Sequence, residues 1–120
     1  MSAGRNGNEA NTENIGRELA QFLQDDQCRH KTVSAIEILY TAKRRTQKWR
    51  KVWLRDNGDM ALAEFLSNEL DQDYESGYGT QQVDGLVWFD DNSWLERREY
   101  DGAEWWELCE CPPLPTRLEK

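Results

Sequence analysis

Histidine is nearly absent from this 120-residue chain, with one copy, and proline and cysteine occur only three times each. A single imidazole rules out paired metal histidines and leaves His30 as the one base that a Cys/His catalytic pair could use. Three cysteines is an odd number, and Cys109 and Cys111 stand too close together to close a useful loop, which argues against a secreted disulfide framework. No apolar run approaches the ~20 residues that cross a bilayer, and residues 1–14 lack the apolar stretch of a secretory signal. A cytoplasmic protein without membrane contact is expected. The chain also lacks a glycine-rich phosphate loop and a nucleophile elbow. These absences point away from an enzyme and imply no cofactor.

Charge is plentiful and unevenly placed. The net charge is -8 and the isoelectric point about 4.7, which argues against a surface that binds nucleic acid all round. Through residue 55, eleven basic residues stand against six acidic ones, a balance of +5; beyond it four basic residues stand against seventeen acidic ones, a balance of -13. Hydrophobic residues make up 38% and the mean hydropathy is -0.95, so the core must be small. Six Trp, four Tyr and three Phe supply large burial in few positions.

The length fits one domain, placed at 12–115 between a disordered tail at 1–11 and a C-terminal tail at 116–120. Ile15, Leu19, Phe22 and Leu23 form one stripe at helical spacing. Residues 34–41 alternate through Ile36, Ile38 and Tyr40 as a strand does, while Val33, Ile36 and Tyr40 would also stripe a helix. Their β-branched and aromatic character favours a strand, paired as a hairpin with a second strand at 46–55, and spacing does not by itself decide between strand and helix for the basic segment 43–55. The tip of that hairpin would hold Lys43, Arg44 and Arg45. Asp59 is a candidate N-cap for a helix over 60–71, in which Leu62, Phe65, Leu66 and Leu70 recur at helical spacing. The polar stretch 72–82 reads as a loop whose Tyr74 and Tyr78 fold back onto the domain. A β-meander follows, with strands at 86–89, 94–100 and 104–110, ended by prolines. The fold class is therefore α+β in the order αββαβββ, an antiparallel sheet packed against two helices.

The last hairpin admits two registers. A two-residue loop at Asp101-Gly102 pairs Glu99 with Glu104 and Glu96 with Glu107, like charges that cost stability when directly opposite. A four-residue loop pairs Tyr100 with Trp105 and Arg98 with Glu107, and is the register expected on that ground. It places Trp94, Tyr100 and Trp105 beneath the second helix and leaves Trp106 partly exposed to a partner.

The string Trp-Phe-Asp-Asp-Asn-Ser-Trp-Leu-Glu-Arg-Arg-Glu-Tyr-Asp-Gly-Ala-Glu-Trp-Trp-Glu at 88–107 resembles a segment of small proteins from phages, prophages and mobile elements. Asn92 and Ala103 stand where that resemblance leads one to expect Gly and Ser. It implies an accessory protein of such origin and carries over no catalytic or ligand residue.

Four sets of residues could carry function. The acidic, aromatic meander suits a protein partner, either a host or a phage protein, through Asp90, Asp91, Glu99, Asp101, Glu104, Glu110 and Trp106. Such a surface could occupy a basic nucleic-acid-binding site on a host defence or replication protein and inhibit by occlusion. The same carboxylates could serve a hydrolase or a hard cation, but no nucleophile or base accompanies them at interpretable spacing. The basic segment Lys43, Arg44, Arg45, Lys48, Arg50 and Lys51, interleaved with Trp49 and Trp53, is the alternative, since cations and aromatics together grip phosphates and stack bases. Its simpler account is two core tryptophans and solvated cations. Cys28, His30, Cys109 and Cys111 could supply a zinc set, although the usual zinc pair has two to four residues between its cysteines. Pro112 to Arg117 matches a short proline helix and reads more simply as a strand terminator.

Overall fold

A computed structural model describes residues 11–42, 47–56, 60–76, 81–100 and 103–110. The chain begins with a short strand, β1 (Asn11–Asn14), whose last residue caps helix α1 (Ile15–Leu23). The Asn14 side-chain oxygen accepts from the Arg17 N–H at 3.0 Å, and its amide donates to Asp71 and Asp73 at 2.9 Å each. One asparagine thus satisfies an orphan donor of the first turn and ties that turn to a segment almost sixty residues away.

Strands β2 (Val33–Thr41) and β3 (Lys48–Leu54) form the expected antiparallel hairpin, with Ile36 opposite Trp53 and Tyr40 opposite Trp49. Its tip, with Lys43, Arg44 and Arg45, lies outside the described residues. The second helical segment starts at Ala61 without a side-chain cap; Asp59 is also outside the described residues. After one α-turn, α2 (Leu62–Glu64), the chain widens into a π-helical turn at Phe65–Glu69, closed by Leu70 N–H on the Phe65 carbonyl at 3.1 Å. Phe65, Leu66 and Leu70 are buried as their spacing requires, but the helix is shorter than 60–71 and not α throughout. The Leu70 carbonyl accepts from both Gly16 and Gln72, so the widened turn ends on a fixed contact with α1.

The expected loop at 72–82 contains a strand, β4 (Asp73–Ser76), which pairs antiparallel with β1. Its one apolar anchor is Tyr74, 3% exposed, and a lone aromatic in a polar run shows no alternation to read. Asn11, assigned to the tail, belongs to this ladder. Tyr78 lies outside the described residues.

Strands β5 (Val83–Phe89), β6 (Ser93–Tyr100) and β7 (Ala103–Glu110) form the meander and complete a five-stranded antiparallel sheet in the order β3-β2-β5-β6-β7. Helices and the small β1-β4 ladder lie on one side of it, which makes the domain α+β. Ile36, Ile38, Val87 and Leu95 meet Ile15, Leu19 and Leu70 there, all fully buried. Gly85 on the inner side of β5 has no room for a side chain, because a Cβ would stand 2.4 Å from the Glu37 carbonyl oxygen.

The last hairpin takes the register that like-charge repulsion argued against: Glu99 faces Glu104, Glu96 faces Glu107 and Arg97 faces Trp106. Two arginines of β6, each two residues along from the β6 glutamate of a facing pair, resolve the repulsion. Arg98 reaches Glu96 at 3.0 Å and Glu107 at 3.3 Å on one side of the hairpin, and Arg97 reaches Glu104 at 3.2 Å on the other. Diagonal partners lie within reach of a long side chain, so direct pairs alone did not decide the register. The shift of two residues keeps Trp94, Tyr100 and Trp105 on one face and Leu95, Trp106 and Leu108 on the other; what is inverted is which of the two packs under the helices. Trp106 is 3% exposed in the core, whereas Trp105 is 41% and Tyr100 76% exposed, the reverse of the expected arrangement.

Candidate interaction surface

The side of the sheet away from the helices carries nearly all of the large exposed apolar groups of the described residues. Leu39 on β2, Val52 and Leu54 on β3, Trp88 on β5, and Tyr100 and Trp105 on β6 and β7 all point outward. Register aligns them in rows: Leu54, Ala35, Trp88, Trp94 and Cys109 cross the sheet in one line, and Val52, Glu37, Leu86, Glu96 and Glu107 in the next. Among the described residues the first row is apolar from edge to edge while the second carries three carboxylates, and contiguous apolar patches on small proteins mark contact sites.

Charges on this face are largely paired within it. Arg50 meets Glu37 at 2.6 Å, and Arg98 meets Glu96 and Glu107. The Trp94 indole donates to Glu96 at 3.0 Å, and the Asp84 carboxylate accepts from the Gly85 N–H at 2.8 Å. Surface pairs of this kind add little stability. Their consequence here is that most of the charge beside the apolar side chains is already answered within the face.

The acidic set divides. Asp91 sits in the β5–β6 turn and accepts from the Lys31 ammonium at 2.6 Å and from Ser93; the ammonium, then the serine, hold its carboxyl at about 2. Glu110 approaches the same ammonium at 3.4 Å, and Asp90 approaches Arg55 at 3.4 Å. Basic residues of the first half thereby bind acidic residues of the second, which reduces the exposed negative charge at this end. Glu99 is exposed, and Asp101 lies outside the described residues.

Glu104 and Trp106 are not surface residues, which corrects their assignment to a partner contact. The Glu104 side chain is fully buried with that of Arg97. Its carboxylate also accepts from the Gln82 and Val83 N–H groups at 2.6 and 3.1 Å, where β5 begins and its ladder with β6, described over Leu86 to Trp88, has not yet formed. Arg97 donates further to Tyr74 Oη at 2.6 Å and Glu18 at 3.1 Å, and lies 5.2 Å from the Trp106 ring centroid. Burial and the Glu18 hydrogen bond push the Tyr74 hydroxyl well above its ordinary range. This network is a keystone of the fold that the sequence did not reveal. The one available signal was that Arg97 and Glu104 share a face in the two-residue-loop register.

On the basic segment, Trp53 is buried and donates to the Met60 carbonyl at 2.9 Å, so it cannot stack on a base. Trp49 packs against Tyr40 and beneath the Lys51 ammonium, which also donates to the Glu69 carbonyl. Lys48 and Arg50 remain on the open face. The zinc set is not assembled by the described residues: Cys28 is buried, His30 is exposed, and no group of three or more His, Cys, Asp or Glu among them is placed to hold a metal ion. Cys111 is outside the described residues. A groove of about 650 Å³ runs between α1 and the π-helical turn, lined by Ala20, Leu23, Leu62 and Leu66, with Arg17 and Asp71 among its polar residues. The chain matches no family model, and neither a curated protein nor a solved structure matches it.

Proposed function

We propose that this chain is a non-catalytic, protein-binding accessory protein of phage or mobile-element type, and that the open face of the sheet is its contact surface. The observation that carries the reading is that face itself: aromatic and aliphatic side chains in register across five strands, with their neighbouring charges already paired. Trp88 stands on the central strand of that face, and tryptophan near the middle of a patch is among the residues that dominate protein contacts. Nucleic acid suits it less, because Glu37, Asp84, Glu96 and Glu107 share the face with its cations. The finer form is occlusion of a basic site on a host defence or replication protein, supported by the net charge of -8 and the acidic second half.

The test is capture from an extract of the source cell with the wild-type chain, with Leu39→Glu and Trp105→Glu on the open face, and with Ser67→Glu on the helical layer. A captured protein lost in both open-face variants and kept by Ser67→Glu supports the reading. Capture that ignores the open-face substitutions overturns it. So does submicromolar, steeply salt-dependent oligonucleotide binding abolished by Lys48→Glu, which would transfer function to the basic segment.

A further inference from the structure

We infer that a pocket between the β1-β4 ladder and the main sheet binds a primary alkylammonium group, a role separate from that of the open face. The pocket, about 280 Å³, is bordered by Thr12, Asp73, Tyr74 and Glu75 of the ladder, by Tyr40 on β2 and by Gln82 just before β5. Strand pairing sets Thr12 opposite Glu75 and Asn14 opposite Asp73, and residues two apart share a face, so both carboxylates belong to one side of the ladder. Thr12, Asp73 and Glu75 are exposed, which leaves the pocket open to solvent.

Two buried side chains meet this pocket with hydrogen-bonding atoms not used within the described residues. Tyr40 is 6% exposed and its ring packs against Trp49, yet its hydroxyl has no hydrogen-bond partner among them. Gln82 is 4% exposed; its side-chain nitrogen donates to the Glu75 carbonyl at 3.1 Å, which orients the amide and leaves its oxygen as an acceptor. Buried polar groups are nearly always paired, so two such atoms on one pocket call for a partner from outside the chain. The carboxylates decide its chemistry. Asp73 accepts from Asn14 with one oxygen at 2.9 Å and retains the other. Burial, then the Glu75 carboxylate, push the Tyr40 hydroxyl above its ordinary range, so it stays neutral beside a negative charge. All four groups accept hydrogen bonds and two are anionic, which excludes an anion and favours a cation made of donors. A primary ammonium has three N–H donors and no acceptor; Asp73, Tyr40 and Gln82 answer them, and Glu75 adds its charge. A metal ion fits less well, because among the described residues no group of three or more His, Cys, Asp or Glu is placed to hold one. A quaternary ammonium has no N–H to give.

The experiment is an NMR titration of the full 120-residue chain at constant ionic strength with n-butylammonium, with n-butyltrimethylammonium and with a capped Gly-Lys-Gly peptide. The primary ammonium should shift amides concentrated at Thr12, Asp73 and Gln82, and the quaternary one should not. Tyr40→Phe and Asp73→Asn should each raise Kd about tenfold or more, as loss of a hydrogen bond to a charged group does, with the rest of the spectrum unchanged. Asp73 is exposed, so Asp73→Asn carries the test by itself should Tyr40→Phe disturb the core. Tighter binding of the peptide assigns the ammonium to a lysine side chain of another protein, and tighter binding of n-butylammonium to a free amine. No shifts, equal shifts with both cations spread over the acidic surface, or a folded variant that binds as wild type does each overturns the inference.

Discussion

Trp105 and Trp106 are adjacent and chemically identical, yet one is core and the other surface, because consecutive strand residues face opposite ways. Trp106→Ala removes a buried indole that packs beside Arg97, and is expected to destabilise the domain by about 3–5 kcal/mol. Trp105→Ala is expected to cost less than about 1 kcal/mol. Chemical denaturation of the two variants checks this, and a larger loss for Trp105→Ala would mean that the hairpin is shifted by one residue. Asp91 provides a second residue-scale test. Its folded pKa of about 2 lies below the ordinary value of 3.8, so its attachment to Lys31 is fully present above about pH 4 and is lost as pH falls through 2. A carboxyl-carbon NMR titration should place its midpoint near 2, and Lys31→Met should return it toward the ordinary carboxylate range.

Among elements, the decisive contact is between α1 and the π-helical turn. A Cβ on Gly16 would stand 2.0 Å from the Leu66 carbonyl oxygen, a backbone atom that cannot swing aside. Gly16→Ala is therefore expected to cost at least about 2 kcal/mol despite alanine's better helix propensity, because forced separation outweighs the propensity gain of about 1 kcal/mol. Thermal unfolding measures the loss. Amide exchange should report it first at Leu70, whose N–H closes the widened turn and whose carbonyl accepts from Gly16. No observed change in either would mean that the two elements are not held this closely.

The whole molecule is joined by the Arg97 network, which links α1 through Glu18, β4 through Tyr74, β7 through Glu104 and the start of β5 through Gln82 and Val83. Arg97→Met leaves Glu104 buried without its cation, and is expected to destabilise the domain by about 3–5 kcal/mol. Adding Glu104→Gln should recover part of that loss, since the uncompensated charge is then gone. A double-mutant cycle by denaturation decides it: additive losses would mean that the two groups do not depend on each other.

Periodicity located α1 and the meander strands, whereas for β2 the spacing of Val33, Ile36 and Tyr40 fitted a helix as well, and the β-branched and aromatic character of Ile36, Ile38 and Tyr40 tipped it to a strand. Periodicity also marked Phe65, Leu66 and Leu70 as core, but not the widening of their helix or its contact with Gly16 some fifty residues earlier. Aromatic richness and charge asymmetry were equally open to reading. Tertiary structure decided which face of each strand is inside. Strand alternation offers two faces, and β6 and β7 carry apolar and charged residues on both, so local pattern had no preference between them. Long-range partners made the choice. Glu18 and Tyr74 gave Arg97 a buried seat, Arg97 and two backbone N–H groups gave Glu104 one, and Trp106 followed them inward. That turned Trp105 and Tyr100 out onto the face whose rows, from β3 to β7, exist only once the strands are laid side by side.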